Sequence, residues 1–289
     1  DRDEPKPFLL YLSYYNIHTP IQAYRKHIDH YQTKAAKAFE GKTPTEPEHD
    51  GTNRLRQDNP ALASMVAAVD DSVGVLLAKL TELDLDESTV VIFFSDNGAL
   101  RWGNNKPWRS GKGSVYEGGV RTPALVRWPA GGLEDGAKID GMMGMIDVYP
   151  TLKRLAEVKS KDRNRIDGID VLDVMRGKKD APKRDWFSYI AQGRPEQIAL
   201  CDDTWKLVVT GGSVLDVKLD DDGPKGPKVE LLRLDRDPGE STNLVQEHPA
   251  VAAEMLKRLQ KFRRLKIDGI PDFLEGKKGF VAPMDWVIE

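Results

Sequence analysis

The 289-residue chain has a single cysteine, Cys201, so no internal disulfide can form, and cysteine usage points to neither an oxidising nor a reducing compartment. An excess of one charge is also lacking. Lys and Arg total 43 against 46 Asp and Glu, a net charge of -3 that carries no signal for nucleic-acid binding. No apolar stretch approaches the roughly 20 residues that cross a bilayer, so no membrane span is expected. No signal peptide opens the chain, and no internal repeat runs through it. A mean hydropathy of -0.51 implies a heavily polar surface, while the length is ample for a buried core in one large or two modest domains.

What is present is an alternation of elements. Phe8 to Tyr14 reads as a strand, and Pro20 to about Asn59 as a long polar surface excursion. From Pro60 to Leu83, residues Leu62, Met65, Val66, Val69, Val73, Leu76, Leu77 and Leu80 recur at helical spacing, with Asp70 and Asp71 on the helix surface. Val90 to Ser95 is apolar and β-branched, a strand most easily buried on both faces, as in a parallel sheet. Ala124 to Arg127 is a further strand, and Ile146 to Ala156 a helix with Pro150 in its first turn. The order implies an α/β fold with a mixed, largely parallel sheet flanked by helices.

Beyond Arg184 the texture changes. Trp186 to Ile190, Gln197 to Leu200, Trp205 to Val209 and Val229 to Leu234 suggest a small antiparallel sheet. Leu219 to Lys228 reads as an exposed hairpin tip. Pro249 to Leu265 reads as an amphipathic helix burying Val251, Met255, Leu259 and Phe262. The expected divisions are residues 1–184 for the α/β portion, 185–265 for a C-terminal subdomain of sheet and helix, and 266–289 for an aromatic tail packed on the body.

Asp96-Asn97-Gly98 stands at the end of the apolar strand, where parallel sheets bind ligands. A carboxylate beside an amide oxygen offers hard ligands suited to Ca²⁺ or Mg²⁺. Lys112, in the Gly-rich stretch that follows, supplies a compact positive charge for a tetrahedral oxyanion. The tripeptide alone reads more readily as a turn whose Asp and Asn satisfy backbone groups.

Three blocks taken together carry more. Ser95-Asp96-Asn97-Gly98, then Asn105-Lys106-Pro107-Trp108-Arg109-Ser110-Gly111-Lys112-Gly113, then Tyr116-Glu117-Gly118-Gly119-Val120-Arg121-Thr122-Pro123 resemble the sulfatase family in order and spacing. The likeness extends back to His18-Thr19-Pro20 and forward through Asp147-Val148-Tyr149-Pro150 to Leu234-Asp235-Arg236-Asp237-Pro238-Gly239-Glu240, and so covers nearly the whole chain.

The resemblance implies hydrolysis of sulfate esters, with a sulfated small molecule or glycan as substrate and no nucleic-acid partner. It implies Asp96 and Asn97 as metal ligands, to Ca²⁺ or alternatively Mg²⁺, and Lys112 as the sulfate-binding lysine. His18 would contact sulfate and protonate the leaving alkoxide, a role suited to an imidazole whose ordinary pKa lies near neutrality. Asn105 and Arg109 would contact substrate. Glu117, Gly118, Gly119 and Arg121 would be structural supports at a turn entering a strand, with Arg121 paired to a carboxylate.

One departure is large. The family's C/S-x-P-x-R motif, source of the formylglycine nucleophile, is absent, as is the family's Asp pair. Cys201 has no Pro or Arg at the required offsets. The chain therefore reads as the back portion of a longer enzyme, its formylglycine expected in a missing N-terminal segment or partner chain, and the isolated chain is expected to be inactive. The alternatives are a phosphodiesterase or phosphonate hydrolase of the same superfamily, or a non-catalytic anion- or glycan-binding remnant. The family implies a periplasmic, secreted or lysosomal setting.

Overall fold

Alternation of side chains across an antiparallel sheet builds the centre of the molecule. Strands β5 (Trp186–Ile190), β6 (Gln197–Cys201), β7 (Trp205–Thr210) and β8 (Lys228–Arg233) are hydrogen-bonded in that order, every pair antiparallel. Their register lines up Phe187, Leu200, Leu207 and Leu231 in one row. Helix α6 (Pro249–Arg263) covers this face with Ala252, Met255, Leu256 and Leu259, and Phe262 stacks on Phe187 with ring centroids 4.1 Å apart. Pro249 opens the helix, where its missing N–H costs nothing. The opposite face presents Ala199, Val208 and Leu232, which pack with Val115 and Tyr116 from a loop more than 80 residues earlier. Both faces of the sheet are thus buried.

The structure is a computed structural model and describes residues 6–38, 44–48, 51–100, 103–159, 161–162, 165–191, 195–219 and 226–265. The tail expected at 266–289 and the tip of the hairpin expected between Leu219 and Lys228 lie outside the described residues.

Before the sheet, the chain runs through helix α1 (Ile28–Ala38), the hairpin β1 (Thr45–Glu48) and β2 (Gly51–Arg54), and the long helix α2 (Pro60–Glu82). The expected structureless excursion from Pro20 to Asn59 is therefore corrected: its Lys- and Ala-rich part has the propensity to make α1. Asn59 caps α2 by accepting from the Leu62 N–H at 3.1 Å. The strand expected at Phe8 to Tyr14 is not formed, because no described strand lies beside it to complete a ladder.

Helix α2 also corrects the expectation about apolar length, since among the described residues it is long and apolar enough to cross a membrane by length and composition. Its contacts are polar on one side. The Ser64 hydroxyl accepts from Tyr24 N–H at 2.9 Å, Tyr14 donates to Ser72 at 3.0 Å, and Asp71 pairs with Lys26 at 2.7 Å and His27 at 3.0 Å.

Strand β3 (Val91–Phe94) pairs antiparallel with β4 (Ala124–Arg127), and the short helix α3 (Glu117–Val120) lies between them in sequence. Glu117 to Val120, expected within a turn entering a strand, form a single helical turn that precedes β4. Pairing among the described strands is antiparallel throughout, so the parallel neighbours suggested by the Val90 to Ser95 run are not found among them. The expected Ile146 helix is a 3₁₀ turn (Met145–Asp147) running into α4 (Val148–Leu155), followed by α5 (Leu172–Met175).

Asp147 holds this part together. Its buried carboxylate accepts from the Gly144 and Ile169 N–H groups, each at 2.9 Å, and from both terminal nitrogens of Arg184. Burial pushes the carboxyl upward, but Arg184 and the two amides outweigh it and leave Asp147 below the usual carboxylate range.

Candidate active site

The Asp96 turn and the lysine loop are joined by backbone. Ser95 Oγ donates to the Asn97 carbonyl at 3.1 Å, and the Gly98 N–H donates to the Gly119 carbonyl at 3.0 Å. A Cβ on Gly98 would sit 1.8 Å from the Gly118 carbonyl oxygen, so the approach is open only to glycine. Lys112 N–H donates to the Ala99 carbonyl at 3.1 Å. Asn105 clamps the same point: its Oδ1 accepts from Ala99 N–H at 3.0 Å, and its Nδ2 donates to the carbonyls of Ala99 at 2.8 Å and Ser110 at 3.0 Å. Glu48 of β1 accepts from Ser110 N–H at 3.1 Å. On this frame Asp96 and Lys112 are exposed and Asn97 half-buried.

Beneath the exposed groups lies a buried network of charges. Arg109, only 2 % exposed, donates from Nη1 to Glu230 at 3.1 Å and to the Glu240 carbonyl at 3.0 Å, with its guanidinium 3.8 Å from the centre of the Tyr116 ring. Tyr116 donates to the other oxygen of Glu230. Lys206 Nζ lies 2.9 Å from Glu117 and 2.9 Å from Glu240. Glu240 Oε2 accepts from Glu117 N–H at 2.7 Å, and Arg121 Nε donates to Glu117 at 2.7 Å. Four cations, Arg109, Lys206, Arg121 and Lys228, the last 3.4 Å from Glu230, face three carboxylates, Glu117, Glu230 and Glu240.

The carboxylates divide by company. Burial would raise Glu117, but two cations share it and hold it below the usual range. Burial would raise Glu230 too, and its bonds from Tyr116 and Arg109 reverse the sign. For Glu240 burial wins over Lys206 and the Glu117 N–H, and the neighbouring Glu117 charge adds to the rise. Cys201, at the end of β6, is buried, and burial with the Glu117 charge pushes its thiol up to about 11, which makes it a structural rather than a nucleophilic group.

The structure separates the sequence-derived candidates into three sets. Asp96, Asn97 and Lys112 come together on one clamped turn-and-loop frame. Asn105 and Arg109, expected as substrate contacts, have their side chains engaged inside the protein, Asn105 on loop carbonyls and Arg109 on Glu230. His18 stands apart: its Nδ1 lies 2.8 Å from the Thr19 carbonyl in its own exposed turn, and no described bond joins it to Asp96, Asn97 or Lys112. Gly118 and Gly119 lie where a Cβ would meet Arg109 and Ser114 carbonyls at 2.4 and 2.3 Å.

Lys206, Glu230 and Glu240 were not singled out from sequence. The signal was available, since Lys206 interrupts Trp205-Lys206-Leu207-Val208-Val209 and Glu230 interrupts Val229-Glu230-Leu231-Leu232. A charge on a strand buried on both faces needs a partner.

The donor set at Asp96 and Asn97 consists of hard oxygens and fits Ca²⁺ or Mg²⁺ in kind, as two of the six or so ligands such ions take. Among the described residues, no group of three or more His, Cys, Asp or Glu side chains gathers to hold a metal.

The described residues place an acidic turn and a lysine loop at the end of strand β3. Two family models match, "Sulfatase" over residues 1–158 and "N-sulphoglucosamine sulphohydrolase, C-terminal" over residues 108–265. The chain belongs to the sulfatase family. Mouse steryl-sulfatase is 34% identical over 186 residues, which are 61% of this chain and 26% of that protein. Human arylsulfatase A is 28% identical over 280 residues, 91% of this chain and 49% of that protein. Among solved structures, Ps i-CgsB in complex with k-i-k-neocarrahexaose superposes with a TM-score of 0.71 at 24% identity, over 91% of this chain and 51% of that one. This likeness shows the α/β sulfatase fold. The chain spans about half the length, or less, of the relatives it matches.

Proposed function

We propose that this chain is part of a metal-dependent sulfatase that hydrolyses sulfate esters by the formylglycine mechanism. In this reading Asp96 and Asn97 supply two oxygen ligands to Ca²⁺, or to Mg²⁺, and Lys112 holds sulfate oxygens and stabilises negative charge on the group being transferred. The bound cation neutralises sulfate oxygens. His18 protonates the leaving alkoxide, an assignment supported by its His-Thr-Pro setting alone. The formylglycine would come from a C/S-x-P-x-R segment, which these 289 residues do not contain, and the isolated chain is proposed to be without turnover. The substrate class is a sulfated glycan or small molecule, supported by a neighbour of TM-score 0.57 solved with D-glucosamine-2-N,6-O-disulfate. A periplasmic, secreted or lysosomal site of action accompanies this reading.

One observation carries the proposal. The Gly98-to-Gly119 and Lys112-to-Ala99 bonds, at 3.0 and 3.1 Å, tie the segments that carry a carboxylate, an amide and an ammonium to one another while leaving the charged ends exposed. The test is a titration of the chain with Ca²⁺ and then inorganic sulfate, followed by amide NMR. Saturable shifts at Asp96 to Gly98 with Ca²⁺ and at Lys112 with sulfate are expected. Shifts spread evenly over surface residues, or none at these positions, would overturn the reading. Supplied with the nucleophile segment, the protein is expected to prefer an aryl sulfate over an aryl phosphonate monoester. The reverse preference would favour the activity named for a further structural neighbour, a phosphonate monoester hydrolase of TM-score 0.52.

A further inference from the structure

Lys112 sits on a loop whose two stems are tied to residues 89 to 131 positions later in the chain. Resting on the anion-binding reading of Lys112 above, we infer that Lys206, Glu230 and Glu240 of the C-terminal sheet and its following turn are positioning residues for that lysine. The sheet then forms part of the active-site machinery as the bed on which its anion-binding loop is set.

The geometry is that of a clamp on both stems of a loop. On the incoming stem, Arg109 is fastened to Glu230 and to the Glu240 carbonyl, at 3.1 and 3.0 Å. On the outgoing stem, Tyr116 donates to Glu230, and Glu117 is held through its carboxylate by Lys206 and through its N–H by Glu240. Glu230 therefore bridges the two stems, and so does Glu240, through its carbonyl on one side and its carboxylate on the other. The stems also bond to each other, Gly118 N–H to the Arg109 carbonyl at 2.8 Å. Ser110 and Gly113, on either side of the tip, take positive φ values of 66° and 86° and turn the chain back. Lys112 is the exposed residue between them.

The chemistry of the clamp fits a positioning role better than a contribution to stability alone. Replacing buried ion pairs with apolar residues often leaves a protein as stable or more so, so the five buried charges Arg109, Glu117, Lys206, Glu230 and Glu240 around one loop are weak support for stability as their purpose. They do fix direction, because every bond is charge-assisted or made to a defined backbone atom. Glu240 itself is fully buried with a φ of 53°, a conformation that a non-glycine residue adopts at a cost and that here brings its carbonyl and its carboxylate to different stems.

The test is amide hydrogen exchange, residue by residue, on the whole chain with Glu240→Gln, Lys206→Met and Lys206→Arg. Glu240→Gln and Lys206→Met are expected to raise exchange at Lys112, Gly118 and Gly119 by about tenfold or more while β6 and β7 keep their protection, and Lys206→Arg is expected to restore most of the loss. Loosening of loop and sheet to the same extent, or no loosening of the loop, would overturn the inference. If Lys206→Met fails to fold, Glu230→Gln, which leaves Lys206 paired, is judged by the same criterion. The experiment needs no turnover. A loop that loosens selectively in a protein whose Lys112 ignores sulfate would uphold the clamp and reject the anion-binding reading, whereas sulfate binding at Lys112 that survives with an unaltered loop would do the opposite.

Discussion

In the C-terminal body Leu207, Leu231 and Leu259 are completely buried, while in the N-terminal segment Leu9 and Tyr11 are each 81 % exposed and Leu10, Leu12 and Tyr15 are exposed beside them. The two regions are similarly apolar in sequence. What differs is what stands next to them. The C-terminal strands are covered on one face by α6 and on the other by the lysine loop, both within the described chain. The residues from Phe8 to Tyr14 have no described strand alongside. Apolar sequence supplies a driving force only in proportion to the area a neighbour removes from water, and an uncovered row of large side chains is a surface that seeks one.

The comparison is sharpest under truncation. Leu231→Ala should cost about 2–5 kcal/mol, because its site is closed on all sides and cannot collapse, whereas Leu9→Ala should stay within about 0.5 kcal/mol. Denaturant unfolding with a constant m-value checks both. Equal losses at the two sites would show that the first segment is packed in solution as firmly as the C-terminal sheet.

A second difference lies in pH. Asp147, Glu117 and Glu230 have folded pKa values below their ordinary ones, so each contributes stability that is present above the ordinary carboxylate value of about 4 and is lost as pH falls through the folded value. Glu240 has the opposite sign. Its raised value makes ionisation a cost above that pH, a cost relieved by protonation as pH falls. Three against one, the body should weaken in acid. Asp147→Asn should be less stable at neutral pH and show a shallower acid decline than the native chain, read as unfolding midpoint against pH. An unchanged slope would mean that the Arg184 and amide bonds to Asp147 do not persist in solution.

How much of this was legible in the sequence depends on the range over which each signal acts. Helices α2 and α6 and strands β4 to β8 were readable to within about two residues, since spacing and turn residues are local. Helix α1 and the β1–β2 hairpin were missed because polar composition masked their propensity. The lysine loop was legible as a loop following the Asp96 turn, but Arg109 was read as facing substrate. Its partner Glu230 is 121 residues away, and nothing near Arg109 announces that it turns inward. The charges inside β7 and β8 were the trace of that pairing, visible only once both faces of the sheet are known to be buried.

The smallest expected change in stability tests the other side of the same loop. Lys112 is exposed and, among the described residues, makes no ion pair, so Lys112→Ala should alter unfolding free energy by no more than about 0.5 kcal/mol. Its backbone N–H still reaches the Ala99 carbonyl after the substitution, so the frame should keep its protection. What should vanish is the response to sulfate. A variant as stable as the native chain, with an intact loop and no sulfate-dependent shift at position 112, would assign anion binding to the ammonium group and rigidity to the clamp beneath it. If the sulfate response survives the loss of the side chain, the anion is being held by something other than Lys112, and the resemblance that pointed to this residue would carry no chemistry here.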